Sequence, residues 1–382
     1  MDKRKIIILG ATGSIGQQSL DLIRKSNDYE LIGFSFNKNL NKALEIINEF
    51  NVKMVATFDD DTYKELAKKT NVKTTKHVEE LINLDSKSYI LNAISGYNGM
   101  MSSFYALNKS HNLFLANKES LVCLGPILIE ISHKNNVSII PIDSEHTSLL
   151  DLITNYKGNI DKYYITSSGG ALRDYSLENL KKVKVNDALN HPTWKMGKKI
   201  TIDSATMMNK VFEIVEASYL FDLKQNEIGV LMDRTSMVHA LIENHGKLLV
   251  HKASNDMHLP INYCINYPFI SSYNDVSQWE EKEEVLQKYN LCEIDTLKYP
   301  LIKLSKDILD NPINGIIINV VNDILVDKFL NEEITYLELI DGIMKHSSEF
   351  KEKFIDLEYN IDNVLFIKNY IERSLKTLCK YS

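Results

Sequence analysis

Ile6-Ile7-Ile8-Leu9-Gly10-Ala11-Thr12-Gly13-Ser14-Ile15-Gly16 is the stretch from which the architecture can be read. Ile6 to Leu9 is an unbroken aliphatic run, the pattern of a strand buried on both faces of a parallel sheet. It ends in glycine, and Gln17 to Arg24 then sets Leu20 and Ile23 at helical spacing. Strand, glycine turn and helix together predict a dinucleotide-binding unit. Small residues let the backbone approach a pyrophosphate, and the helix N-terminus offers free N–H groups and the positive end of its dipole. The spacing is G-x-x-G-x-x-G, not G-x-G-x-x-G, so a tight turn without a ligand stands as the alternative.

Working outward, Glu30 to Phe36 reads as a second strand that ends in Asn37-Lys38-Asn39. NAD-selective domains often carry an acidic residue there for the ribose 2′-hydroxyl. A cation with amide donors suits a 2′-phosphate instead, which favours NADP(H), unless Lys38 is only a solvated loop lysine. Helices follow at 40–50 and 62–70, and strands at 53–57, 89–93, 113–116 and 139–142. Strands alternating with helices imply a doubly wound parallel sheet, whose ligands sit off the C-terminal strand ends. Asn117, Lys118 and Asp143 occupy such ends.

The chain has 382 residues, enough for two or three domains. With 44% hydrophobic and 25% charged residues it has a globular composition, and a net charge of -7 argues against general nucleic-acid binding. No apolar run approaches the roughly 20 residues of a membrane span, and the first one is too short for a signal-peptide core, so the cytoplasm is the default location. Cys123, Cys264, Cys292 and Cys379 form no C-x-x-C pair, which argues against a disulfide framework or a structural zinc site.

Asp143-Ser144-Glu145-His146 sets two carboxylates at a strand end, where they suit Mg²⁺ or Mn²⁺. The same pattern also suits a helix N-terminus with Ser144 as cap. Ser167-Ser168-Gly169-Gly170 follows a strand-like run and reads as an anion nest or an ordinary turn. From about Ala205 the spacing predicts a helix with Asn209 and Glu213 one turn apart and Lys210 adjacent. Such a face can hold phosphate and metal together, or be a surface Lys–Glu pair. Trp194, between Pro192 and Gly197, suits a lid that excludes water. Trp279, Met207 and Met208 read as packing.

Taken in order, GATGSIG (10–16), NKESLV (117–122), IDSEH (142–146), SSGGALR (167–173), HPTWKMGKKITIDSATMMNK (191–210) and FEIVEA (212–217) resemble the 1-deoxy-D-xylulose 5-phosphate reductoisomerase family. Weaker matches continue through Val238-His239, Asn255-Asp256-Met257 and 318–323. The resemblance implies an α/β chain with an N-terminal Rossmann-like doubly wound sheet, a central α+β catalytic domain and a C-terminal helical bundle. The expected divisions are an NADPH-binding domain over 1–143, a catalytic and dimerisation domain over 144–275, a linker over 276–300 and the bundle over 301–382.

It also implies a homodimer that uses NADPH and Mg²⁺ or Mn²⁺, with Co²⁺ as a further possibility, to convert 1-deoxy-D-xylulose 5-phosphate to 2-C-methyl-D-erythritol 4-phosphate in the non-mevalonate isoprenoid pathway. By the resemblance, Asp143, Glu145 and Glu213 are metal ligands. Ser168, Ser204, Asn209 and Lys210 bind the phosphate, with His191 lining that pocket. Ser144 and Lys118 contact the reacting end of the substrate. Thr12, Gly13, Ser14 and Ile15 hold the pyrophosphate, and Asn37, Lys38 and Asn39 serve the adenosine side. Asn117, Glu119 and Gly197 lie toward the nicotinamide, and Trp194 and Met196 belong to the flap.

Three places depart from the family pattern: 233–236 lacks a His-Pro, 254–257 lacks a proline and is one residue short, and Ala171 replaces a common proline. They bear on loop shape and not on a ligand. Beyond about 300, helical patterns at 301–310, 314–331, 335–346 and 361–379 suggest a small bundle without chemistry of its own. Residues 270–300 read as polar and irregular. Two other classes compete. One is a semialdehyde or homoserine-type dehydrogenase; the phosphorylating semialdehyde kind needs an activated cysteine, for which only Cys123 is near a sheet end. A non-catalytic NADP(H)-binding regulator needs the glycine turn but neither the acidic nor the phosphate-binding set.

Overall fold

The structure is a computed structural model that describes residues 3–269 and 275–378. Cys379, the last residue of the fourth helix read from the bundle, and the first residues of the polar stretch after 270 lie outside the described residues. The chain divides into two compact units: 1–120 with 127–147 and 256–273, and 121–126 with 148–255 and 274–382.

The first unit is built on seven strands: β1 (Arg4–Leu9), β2 (Tyr29–Phe36), β3 (Met54–Thr57), β4 (Lys73–Thr75), β5 (Tyr89–Asn92), β6 (Leu113–Leu115) and β7 (Ile139–Pro141). All pair in parallel, in the order β4-β3-β2-β1-β5-β6-β7. Ile6 to Leu9 are fully buried, as a central strand covered on both faces requires. The order reverses beside β1, which lies between β2 and β5, and that reversal opens a crevice at the strand ends. Interleaved helices are α1 (Ser14–Lys25), α2 (Leu40–Glu49), α3 (Asp60–Lys69), α4 (Val78–Ile82), α5 (Met100–Asn108) and α6 (Lys118–Asn135), with α7 (Ser144–Asn155) beginning after β7.

The expected α/β doubly wound sheet is therefore present. β4 and α4 were not predicted: β4 is a three-residue polar edge strand, Lys-Thr-Thr, with no apolar run to reveal it. Further along the chain, helix His258–Asn266 returns to this unit, where Tyr29 donates its hydroxyl to Asn266 at 2.5 Å and His258 Nε2 lies 3.3 Å from Asp21.

The second unit holds a mixed sheet. Its main strands are β8 (Lys162–Ser167), β9 (Ile228–Met232), β10 (Val238–Asn244) and β11 (Lys247–Lys252). β8 and β9 are parallel, while β10 pairs antiparallel with both β8 and β11. His245 and Gly246, both at positive φ, make the two-residue turn between β10 and β11. Alternation sorts the two faces: Ile165, Ala240 and Ile242 pack with Leu149, Leu152 and Ile214, whereas Tyr164, Leu241, Leu248 and Val250 pack with Val285 and Leu291. Trp279 packs against Tyr156 at 5.0 Å between ring centroids, as expected for a core tryptophan.

The stretch from 275 to 300 is more ordered than its polarity suggests. It contributes short edge strands and the helix Lys282–Lys288, whose buried Val285 covers one face of the sheet.

Between β8 and β9 lie α8 (Leu177–Leu180), α9 (Val185–Leu189), α10 (Lys198–Thr206) and α11 (Met208–Phe221). The helix predicted from about Ala205 is in fact two, separated by Met207 in the left-handed conformation at φ 65°. Periodicity cannot reveal such a break, because the apolar residues on both sides are buried against different neighbours.

The C-terminal helices follow as α12 (His258–Asn266, in the first unit), α13 (Lys282–Lys288), α14 (Leu304–Asp310), α15 (Ile313–Leu330), α16 (Tyr336–Lys353) and α17 (Ile361–Leu378). α15 packs against α16 and α17. α16 runs beyond the predicted 346 because Phe350 continues its buried stripe, and a Thr335–Glu338 capping box starts it. No helix among the described residues is long and apolar enough to cross a membrane.

Candidate active site

The glycine turn is shaped by backbone crowding. Gly10 sits at φ +86°, where a Cβ would lie 2.7 Å from the Ala93 carbonyl oxygen. A Cβ on Gly16 would lie 2.5 Å from the Gly10 oxygen, so the first turn of α1 packs directly on the end of β1. Gly10 and Ala11 donate their N–H groups to Ser35 at the end of β2, at 3.1 and 2.8 Å. The turn is thereby pinned while Gly13 and Ser14 remain exposed at the N-terminus of α1, with Thr12 and Ile15 half-buried beside them.

Asn37, Lys38 and Asn39 are exposed beyond β2. The Lys38 ammonium lies 3.6 Å from Asp59, and the Asn39 side chain caps α2 by accepting from Lys42 N–H at 3.2 Å. Asn39 thus has a local structural duty that its spacing did not disclose.

At the ends of β6 and β7 the same unit gathers polar groups. Asn117 caps α6, accepting from Ser120 N–H at 3.0 Å. Its amide also donates to the carbonyls of Ile94 (3.0 Å) and Gly96 (2.7 Å) and to Glu119 (2.8 Å). It therefore organises the loop after β5. Lys118, in the first turn of α6, forms an ion pair with Asp143 just beyond β7. Burial by itself raises the Asp143 carboxyl, but the Lys118 ammonium and His146, 3.1 Å away, override it and hold the group well below the usual carboxylate range. Asp143 also accepts from Glu145 N–H at 3.3 Å, and Ser144 donates its hydroxyl to Glu145. The acidic segment is thus a helix start, with Ser144 as the first residue inside α7 and not its cap.

In the second unit, β8 ends in the Ser167-Ser168-Gly169-Gly170 loop. Gly169 and Gly170 have φ of +83° and +68°, and a Cβ on Gly170 would lie 2.6 Å from the Ser204 carbonyl oxygen. The loop is therefore pressed against the last turn of α10, which carries Ser204. Met207 then turns the chain so that Asn209 and Lys210 fall on the first turn of α11. Lys210 and Glu213 are both almost wholly buried and bonded to each other. Lys210 also donates to the Thr166 carbonyl, and Asn209 donates to Glu213. This excludes the surface Lys–Glu alternative: a buried ammonium and carboxylate persist only when paired.

His191 joins the same loop, with Nε2 2.9 Å from the Ser168 hydroxyl. Its Nδ1 accepts from the N–H groups of Thr193 (3.2 Å) and Trp194 (3.0 Å), which requires Nδ1 to be bare and Nε2 to carry the proton. Burial, and then the Arg173 guanidinium, push the imidazole down to about 4 from 6.5. Both effects disfavour the cation, so His191 remains a neutral donor throughout the physiological range. Its imidazole resonances in an NMR titration are expected to shift with a midpoint near 4; a midpoint above 6 would contradict this geometry. Trp194 stacks edge-on to His239, with centroids 6.5 Å apart, while Gly197 starts α10 with open space around it. Met196 is half-buried in the same segment.

Arg173 was not singled out from sequence. Its guanidinium bridges the carbonyls of Ser168 (3.0 Å) and Arg234 (2.8 Å), tying the loop after β8 to the turn after β9. That turn departs from the family pattern, and buried Asp233 organises it by accepting from the N–H groups of Thr235, Met237 and Val238, each at 2.8 Å. Of the described cysteines, Cys123 and Cys264 are buried and Cys292 is exposed. Cys123 is inside a helix with no surface exposure, unlike an activated nucleophile.

A parallel sheet with a glycine turn at its reversal, followed in the chain by a second unit with a buried cationic and hydroxyl cluster, is the architecture of a dinucleotide-dependent oxidoreductase of the Rossmann class. Residues 6–125 match the family 1-deoxy-D-xylulose 5-phosphate reductoisomerase, and 139–221 and 253–372 match C-terminal domains of that enzyme. The reductoisomerase of Thermoanaerobacter pseudethanolicus is 34% identical over 375 residues, covering 94% of this chain and 96% of the relative. That of Mycoplasmoides gallisepticum is 37% identical over 366 residues, covering 95% and 96%.

A crystal structure of DOX-P reductoisomerase in complex with NADPH, fosmidomycin and magnesium superposes with a TM-score of 0.87 at 30% identity over 98% of each chain. The Zymomonas mobilis enzyme in complex with NADPH gives 0.81 at 26% identity over 97% of each. The chain belongs to the 1-deoxy-D-xylulose 5-phosphate reductoisomerase family, and the resemblance read from its motifs is borne out.

Proposed function

We propose that this chain rearranges 1-deoxy-D-xylulose 5-phosphate to a branched aldehyde and reduces it with NADPH to 2-C-methyl-D-erythritol 4-phosphate, the isoprenoid-forming step of its family. The observation that carries the reading is the buried cluster around α11, where Lys210, Asn209 and Glu213 meet the end of β8 beside the Ser168–His191 pair. Ser168, Ser204, Asn209, Lys210 and the neutral Nε2–H of His191 bind the substrate phosphate. Holding that remote group supplies binding energy for closing Trp194 and Met196 over the sugar.

Asp143, Glu145 and Glu213 hold the metal. The fit is chemical: carboxylate oxygens are the donors that Mg²⁺ or Mn²⁺ takes, and Lys118 keeps Asp143 ionised. Bound there, the ion supplies Lewis-acid polarisation of the substrate oxygens. Lys118 and Ser144 orient the reacting end of the sugar. Thr12, Gly13, Ser14 and Ile15 present N–H groups to the NADPH pyrophosphate, Asn37, Lys38 and Asn39 meet its adenosine side, and Asn117, Glu119 and Gly197 meet the nicotinamide. Homodimerisation, a cytoplasmic location and the division at 143, 275 and 300 are carried with this reading as family properties.

The test is NADPH absorbance followed with 1-deoxy-D-xylulose 5-phosphate. Oxidation is expected with Mg²⁺ or Mn²⁺, abolished by chelator and restored by either ion. A folded, NADPH-binding protein that gives no oxidation with both ions present overturns the reading.

A further inference from the structure

The C-terminal helices carry no catalytic motif, yet three of their buried polar side chains, counting the turn that precedes them, reach the phosphate-binding loops. Asn322 on α15, fully buried, donates from Nδ2 to Asp203 Oδ1 at 2.9 Å. Tyr336, the first residue of α16 and 2% exposed, donates its hydroxyl to the Ala205 carbonyl at 2.9 Å. Tyr299, just before α14 and also 2% exposed, donates to the Gly169 carbonyl at 3.2 Å. Asp203 and Ala205 are the neighbours of Ser204 on either side, and Gly169 follows Ser168.

Each contact has a physical requirement. The Ala205 carbonyl lies in the last turn of α10, where carbonyls lack intrahelical partners, and the Tyr336 hydroxyl satisfies it. Asp203 is a buried carboxylate; it is paired with Lys199 at 2.8 Å, and Lys199 also reaches Asp323 on α15 at 3.1 Å. Asn322 and Asp323, consecutive on α15, thus grip one pair on α10. Gly170 presses on the Ser204 backbone, so the two hydroxyl-bearing segments are held against each other as well as from behind. A binding constellation needs its donors held to about 0.5 Å by surrounding groups.

We propose that Tyr336, Asn322 and Tyr299 are positioning residues of the phosphate subsite, setting the backbone that carries Ser204 and Ser168. This rests on the assignment of those serines to the phosphate. In the metal-loaded enzyme, Tyr336→Phe removes one hydroxyl and keeps the ring. It is expected to raise KM for the sugar phosphate, and the inhibition constant of inorganic phosphate, by about fivefold, the scale of one net hydrogen bond. KM for NADPH and kcat stay within about twofold, a split that general loosening would not give.

In a Ser204→Ala background the Tyr336→Phe effect is expected to vanish, because both act through one group. Tyr299→Phe provides the same readout through Ser168 should Tyr336→Phe fold poorly. Additive effects of Tyr336→Phe and Ser204→Ala, or equal losses for NADPH and phosphate, overturn the positioning role. If Ser204→Ala leaves phosphate inhibition unchanged, the phosphate assignment itself falls and the proposal with it.

Discussion

Glu213→Gln is expected to lower metal-dependent turnover by at least about a hundredfold, since loss even of a group behind a metal ligand costs about 10–100-fold. Glu213 has two tasks in this fold. It is a carboxylate of the proposed metal set, and it is the counter-charge of buried Lys210. Breaking a buried pair typically costs about 3–5 kcal/mol because the partner remains charged and desolvated. Here the cost should lie toward the lower end, since Lys210 keeps the Thr166 carbonyl and glutamine retains an amide oxygen.

The variant should therefore fold with a lowered melting temperature, bind NADPH normally and lose both metal affinity and turnover. Calorimetric titration with Mn²⁺ beside the NADPH assay separates the two tasks. Wild-type metal affinity and activity in a destabilised protein would leave Glu213 only the structural one.

Gly16→Val is expected to raise the dissociation constant for NADPH by at least about tenfold, or about 1.4 kcal/mol. The added Cβ would meet the Gly10 oxygen at 2.5 Å and the Ala11 Cα and carbonyl carbon at 2.6 and 2.7 Å. All three are backbone atoms, so no side chain can yield; the turn itself must open and draw the α1 N-terminus away from a bound pyrophosphate. At Gly13 the nearest atom would be 3.3 Å away, so Gly13→Ala should have the smaller effect. Fluorescence titration of NADPH with both variants tests the order. Equal, near-native affinities would mean that the turn does not carry the cofactor.

The contrast between these two sites explains how much could be read in advance. The cofactor unit is local: a buried strand, a turn and an amphipathic helix within about twenty consecutive residues, each governed by its own periodicity. The chain accordingly disclosed β1, α1 and the parallel sheet, while β4 escaped because three polar edge residues leave no pattern, and α4 because five residues are too few to show a helical period. The proposed phosphate site is not local. Spacing leaves Lys210 and Glu213 open between a ligand-holding face and a surface pair, and only their burial excludes the second; His191 is a neutral Nε2–H donor because Thr193 and Trp194 occupy its Nδ1.

The sequence by itself determined the Rossmann-like beginning and the order of the motifs, because these depend on residue type and short-range spacing; the ligands proposed are those that the family resemblance of these motifs implies. The tertiary structure decided which of those groups are desolvated and whom they bond. It set the left-handed break at Met207 that turns Asn209 and Lys210 onto a new helix, and the reach of Asn322 and Tyr336 to the two sides of Ser204. The physical reason is that burial, and the demand that each buried polar group find a partner, belong to contacts between residues from about twenty to more than a hundred positions apart, on which local pattern carries no information.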